Sequence, residues 1–178
     1  MIEPLPVKPF AEKLQGPRVT LIQADVSMAK LLWKSIQEDR AYRPLSWPSI
    51  HSLSDTTNYL QGLDRKLLYL LSAAPSVCLG TIHLHTFNYH DHSLELGYWV
   101  QKNFEGQGYI SEAVTALEKE IAKLGFHRVE IQCQKENRRS RRLAERIGYQ
   151  LEGTLRDNVV IDGTFKDTCI YAKILTPV

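Results

Sequence analysis

Two spacings of apolar residues alternate along this chain. Leu94, Leu96, Tyr98 and Val100 alternate with Glu95, Gly97, Trp99 and Gln101, the period of two that sends side chains to opposite faces of a strand. From Tyr109 the period lengthens. Ile110, Val114, Leu117, Ile121 and Leu124 recur at steps of four, three, four and three, which makes one apolar stripe on a helix. Between the two stands Gly106-Gln107-Gly108, where paired glycines let the backbone turn tightly and come close to a ligand. The helix start that follows offers unpaired N–H groups and the positive end of a dipole, a setting for an anion such as phosphate. Most such loops merely turn the chain, so the surrounding residues must decide.

The same reading runs the length of the chain. Residues 1–17, rich in proline, read as an extended arm, and 18–178 as one domain. Residues 18–23 form a strand. Asp25 and Ser27 are candidate N-caps for a helix to about residue 40, and Ser52 with Asp55 makes a capping box for a short helix to about residue 63. Strands at 66–73 and 77–87 form a hairpin through 74–76, and residues 88–92 turn the chain into the strand first described. After the long helix come a strand at 128–133, a helix at 139–147 closed by Gly148, and two strands, 149–156 and about 165–174, around Asp162-Gly163. A strand–helix–strand crossover joins parallel strands and lays its helix on a sheet face. The expected fold is therefore α/β of the α+β kind: a mixed, mostly antiparallel sheet of six to seven strands, about four helices, and one central parallel pair.

Composition narrows the function without naming it. The 178 residues, 43% hydrophobic and 24% charged, suit one globular domain, and a formal charge of +2 gives no bulk attraction for nucleic acid or an anionic membrane. Three cysteines, Cys78, Cys133 and Cys169, fall in apparent strands with no zinc-type spacing, which points to buried thiols and a reducing compartment. No stretch has the form of a signal peptide or a membrane span, so the cytoplasm is the expected location.

Asn103-Phe104-Glu105-Gly106-Gln107-Gly108, set between strand and helix, resembles motif A of the GCN5-related N-acetyltransferases (GNAT), whose pattern is Arg/Gln-x-x-Gly-x-Gly/Ala. The flanking GYWV and GYISEA are similar to the RimJ/RimL type of ribosomal-protein acetyltransferases. Asn103 departs from the usual Arg or Gln. The resemblance covers residues 18–173 and implies the GNAT fold, with acetyl-CoA as the acyl donor and no metal. It further implies that the parallel strands splay at their C-terminal ends to admit the pantetheine arm. Trp99 and Val100 would meet that arm through their backbone. The pyrophosphate would rest on the loop from Asn103, Phe104 and Glu105 through Gly106, Gln107 and Gly108 to Tyr109 and Ile110. Asn137 stands where the family's asparagine contacts the cofactor, with helix capping as the alternative.

The resemblance also assigns chemistry. Residues 137–149 are similar to the N-x-x-S…G-F/Y pattern of the RimJ/RimL group. Where many acetyltransferases carry a tyrosine that protonates the leaving thiolate, this chain has Ala144, so Ser140 is the candidate donor; a plain first-turn residue is the alternative. Glu95 is the candidate base that draws a proton from the amine, against an exposed edge charge. His83 and His85, with Trp33, Tyr42, Leu45 and Trp47, are candidates for lining the acceptor cleft, against core packing for the aromatic group. His83-x-His85 and His90-x-His92 lack the partners of a metal set. Lys135, Arg138, Arg139, Arg141 and Arg142 form a basic cluster, either a solvated face or a contact for the 3′-phosphate of coenzyme A or for RNA. An α-amine, with a pKa of about 8, costs roughly 1.4 kcal/mol to neutralise at pH 7, against more than 4 kcal/mol for lysine. The expected acceptor is therefore a protein N-terminus, as on a ribosomal protein. A small amine such as a polyamine or antibiotic, or a non-catalytic RNA- or ribosome-binding role, is the alternative. Homo-oligomerisation is left open.

Overall fold

The computed structural model describes residues 3–38, 50–63, 67–74 and 77–176. Its elements run β1(Lys13–Gln15), β2(Thr20–Gln23), α1(Ala29–Glu38), α2(Leu53–Gln61), β3(Leu67–Ser72), β4(Gly80–Asn88), β5(Ser93–Val100), α3(Tyr109–Lys123), β6(Arg128–Gln134), α4(Arg138–Arg146), β7(Gln150–Ile161) and β8(Thr164–Ile174). They build one sheet in the order β1-β2-β3-β4-β5-β6-β8-β7. Every neighbouring pair is antiparallel except β5 and β6. The central parallel pair is where the crossover helix α3 requires it.

Among the described residues the sheet has eight strands, not six or seven. The added one, β1, lies inside the segment read as an arm. Lys13 pairs with Ile22 and Gln15 with Thr20, and the turn closes when Gly16 N–H donates to the Val19 carbonyl at 2.7 Å. A three-residue strand holding a single apolar residue carries no periodicity to detect. Phe10 in the same segment is buried. The strand expected to end at residue 156 instead runs to Ile161, with register shifts between Leu151 and Gly153 and between Leu155 and Val159. Asp162 and Gly163 both take positive φ, 48° and 72°, as a two-residue hairpin turn demands.

Local signals explain the helix starts. The Asp25 carboxylate accepts from Ser27 N–H and opens a short 3-10 turn ahead of α1. Ser52 Oγ accepts from Asp55 N–H at 3.0 Å, but the return bond of the capping box lands one residue early, from His51 N–H to the Asp55 carboxylate at 2.9 Å. Gly148 follows α4 with φ 91°. Residues 75–76, within the segment expected to turn the hairpin, and residues 39–49 fall outside the described residues.

Alternation sorts the sheet into two faces. On one, Leu84, Leu94, Leu96, Val129 and Ile131 pack against Ile110, Val114, Leu117 and Ile121 of α3 and Ala144 of α4. On the other, Leu68 and Leu70 pack beneath α1 and α2 through Leu32 and Leu60. Among the described residues no helix is long and apolar enough to cross a membrane. At the centre, β4 and β5 approach so closely that a Cβ on Gly80 would stand 2.1 Å from the Trp99 carbonyl oxygen. Gly80→Ala is expected to destabilise the protein by about 2–3 kcal/mol through backbone displacement, read as a lowered midpoint in urea unfolding.

Candidate functional site

The site begins where strand pairing stops. β5 and β6 are in register only at Ser93–Arg128, Leu94–Val129 and Glu95–Glu130. Beyond this, β5 continues from Leu96 to Val100 held by β4 alone, while β6 continues from Ile131 to Gln134 held by β8. Past the last pair the facing edges of β5 and β6 make no ladder bonds to each other, so they bound an opening in the middle of the sheet where backbone N–H and C=O groups can meet a ligand. Trp99 and Val100 lie on this run of β5 beyond the last pair.

At the end of β5 the chain reaches the glycine loop. Gly106 and Gly108 take φ of 71° and 87°, and a Cβ on Gly106 would meet nothing within 4 Å. Gly108 is the N-cap of α3 with no side-chain cap, so the first N–H groups of a 15-residue helix have no capping side chain. An anionic group fits this cradle. Arg18, at the foot of β2, was not singled out from the sequence, because a lone arginine ahead of a strand carries no signal. Its guanidinium donates to the Gln107 carbonyl at 2.8 Å and to the Glu112 carboxylate, and lies 4.8 Å from the centre of the Tyr109 ring. Because N–H and C=O of one peptide point in opposite directions, fixing the Gln107 carbonyl on Arg18 turns the Gly108 N–H away from it. From the other side the Arg139 guanidinium pairs with the Glu105 carboxylate. Asn103 lies in a short 3-10 turn with Phe104, and its carbonyl accepts from the Gln107 side chain at 2.9 Å.

Glu95 lies on the sheet face that α1 and α2 cover, and its side chain is only 19% exposed. It is not an edge charge. His85 Nδ1 lies 3.7 Å from its carboxylate, and Gln132 Nε2 donates at 3.4 Å. Burial, seconded by the nearby Glu130 carboxylate, pushes the Glu95 pKa up to about 7, while the Thr86 hydroxyl opposes the shift. A carboxyl poised near neutrality suits proton abstraction. His83 is opposite Gly97 across the β4–β5 ladder, and its ring occupies the space a Cβ there would need, at 2.6 Å. It stacks on His85 with ring centres 4.7 Å apart. Trp33 is half-buried on α1, and Trp47, Tyr42 and Leu45 lie outside the described residues.

Ser140 lies toward the opposite face. Its Oγ is 2.7 Å from the hydroxyl of Tyr98, a residue on the α3 side of β5. The Tyr98 ring is partly buried against the core, and its hydroxyl reaches α4. That phenol joins Ser140 although Ala144 removes the tyrosine expected from the helix. Asn137 caps α4, its side-chain oxygen accepting from Ser140 N–H at 3.1 Å, so the capping role read for it is present. The basic cluster is largely engaged: Arg141 donates to the Tyr171 hydroxyl at 3.0 Å, Lys135 pairs with Asp167 at 2.9 Å, and Arg139 holds Glu105. Arg138 and Arg142 stay exposed. Cys78, Cys133 and Cys169 are buried free thiols, and burial raises the pKa of Cys78 and Cys133. Among the described residues no group of three or more His, Cys, Asp or Glu could hold a metal ion.

Comparison with known proteins bears on this geometry. Residues 18–150 match the model of the acetyltransferase (GNAT) domain. The chain is 29% identical over 156 residues to the ribosomal-protein-serine acetyltransferase of Escherichia coli (strain K12), covering 82% of this chain and 87% of that protein. It is 36% identical over 116 residues to YdaF of Bacillus subtilis (strain 168), covering 65% of this chain and 61% of that one. In structure it is similar to RimL, a ribosomal L7/L12 α-N-protein acetyltransferase in complex with coenzyme A. The TM-score is 0.82 at 26% identity, over 97% of this chain and 98% of the other.

Two outcomes follow from the geometry. The folded state holds the Glu95 proton up to about pH 7, whereas an ordinary glutamate releases it near 4.5. The folded state thus binds that proton more tightly, and stability falls as pH rises between these values. Glu95→Gln removes the penalty and should be more stable than the parent by up to about 3 kcal/mol above pH 7, with little difference below about pH 4.5; urea unfolding at both pH values checks it. Arg18→Met should weaken coenzyme A binding on the order of tenfold, read by calorimetry, with thermal unfolding as the control for fold.

Proposed function

The chain belongs to the GNAT acetyltransferase family, and we propose that it transfers the acetyl group of acetyl-CoA directly to the α-amine of a protein N-terminus. One observation carries this reading. The opening between β5 and β6 has Glu95 on one sheet face and the Ser140–Tyr98 pair toward the other. A thioester seated in that opening would be reached by an amine from the Glu95 side, while its sulfur stays within the Ser140 side.

The loop from Glu105 to Ile110 would hold the pyrophosphate, and the edge of β5 at Trp99 and Val100, past its last pair with β6, would hold the pantetheine amides. That strand edge can also supply an N–H to the thioester oxygen as negative charge develops there. The amine nitrogen attacks the carbonyl carbon, the C–S bond breaks, and the proton lost by nitrogen passes to the Glu95 carboxylate. The departing thiolate takes a proton from Ser140, which Tyr98 is placed to replace. No acyl-enzyme is needed. The buried thiols, raised in pKa at Cys78 and Cys133, are poor nucleophiles.

The acceptor class follows from matching proton affinities. Glu95 near 7 lies about one unit from an α-amine but more than three from lysine, so one carboxylate suffices for the first and strains for the second. That the relatives described above include acetyltransferases named for ribosomal-protein serine and α-N acceptors supports the same choice. The test is a panel of peptides with free or blocked N-termini, polyamines and aminoglycosides, incubated with acetyl-CoA while free thiol is followed. Peptides with a free N-terminus should turn over and carry the acetyl group on the α-nitrogen by mass spectrometry. Turnover confined to blocked lysine peptides or to small amines would overturn the acceptor assignment. Glu95→Gln and Ser140→Ala should each lower kcat by roughly 10²-fold or more with acetyl-CoA affinity unchanged.

A further inference from the structure

In a regular strand, neighbouring residues point to opposite faces, yet His85 and Thr86 meet. Thr86 Oγ1 lies 2.9 Å from His85 Nδ1, the same nitrogen that faces the Glu95 carboxylate at 3.7 Å. The cause is a β-bulge. From His85 to Asn88 β4 advances three residues while β5 advances two, from Glu95 to Ser93, and the extra residue is absorbed with Thr86 at φ 53°. A β-branched side chain in the left-handed region is a costly outlier, of the kind that concentrates at working sites. Glycine or asparagine would fit that backbone with less strain, but glycine has no hydroxyl.

We propose that the Thr86 bulge is a positioning device for the base: it returns the Thr86 hydroxyl to the His85 side of the strand, where hydroxyl, imidazole and the Glu95 carboxylate form one polar chain that orients the carboxylate and opposes its protonation. This inference rests on the reading of Glu95 as the base. His85 Nδ1–H would donate to Thr86 Oγ1, whose own proton then points to Glu95, so the exposed Thr86 is the link between them. The groups facing Glu95 are His85 and Thr86 from β4, with His83 stacked behind, and Glu130 and Gln132 from β6, with Arg128 and Glu152 beside Glu130. Among the described residues, no ion pair or hydrogen bond reaches Glu95 from α1 or α2. Burial and Glu130 favour the protonated form, and the Thr86 hydroxyl works against both.

The experiment is the pH profile of kcat/KM for the intact protein with acetyl-CoA and an N-terminal peptide. Thr86→Val keeps the branched shape and removes the hydroxyl. Its acidic limb should move up by roughly half to one pH unit, with the plateau unchanged, and Thr86→Ser should return it to the parental position. Thr86→Gly should move the limb likewise while raising Tm, because the strain is relieved. A loss uniform across pH, or an unmoved limb in Thr86→Val, would overturn the positioning role. The parallel profile of Glu95→Gln keeps the two claims apart. If its acidic limb survives, the base assignment fails; if that limb disappears while Thr86→Val leaves its own in place, only the inference about Thr86 fails.

Discussion

The backbone hydrogen bonding between β5 and β6 ends after three residue pairs, and the site follows from that. Backbone N–H and C=O groups released from a strand ladder must find other partners. Here β4 clamps the outer edge of β5 and β8 clamps that of β6, so neither strand can swing over to close the gap. The opening is enforced by the neighbours on both sides. It supplies a slot bounded by two strand edges in the middle of the sheet.

The two faces then do different work. On the α3 side, the apolar stripe of the crossover helix packs on Leu94 and Leu96 and so fixes the helix N-terminus and its glycine loop at the end of the slot. Arg18 and Arg139 brace that loop from opposite flanks by pairing with its carbonyl and carboxylate groups. On the α1–α2 side, burial raises the proton affinity of Glu95 until it titrates near neutrality. Burying a carboxylate costs stability, and the arrangement makes sense as a trade of stability for reactivity. In the proposed reaction donor and acceptor would be bound at once, from opposite sides, the geometry that direct transfer needs.

Much of this was legible in the sequence. The period-two run from Leu94 to Val100 and the helical stripe after Gly108 located the crossover, and the crossover required a parallel pair. Strand alternation put Glu95 on the face of Gly97 and Trp99, and the ladder agrees. What escaped was whatever departs from periodicity. β1 is too short to show a pattern. Thr86 sits in a bulge that reverses the expected direction of its side chain, and no glycine marks the place. Alternation places Tyr98 on the face of Leu94 and Leu96 but says nothing of how far a phenol reaches. Arg18 acts on a loop about ninety residues away in sequence, a contact that only the folded chain creates.

The central claim is that coenzyme A binds where the pairing of β5 with β6 stops. Hydrogen–deuterium exchange read residue by residue, with and without coenzyme A, tests it most directly. The account expects new protection in β5 beyond Glu95 and in the loop from Glu105 to Ile110, with little change across the β4–β5 ladder. Coenzyme A binding that left the exchange of both segments unchanged would contradict it.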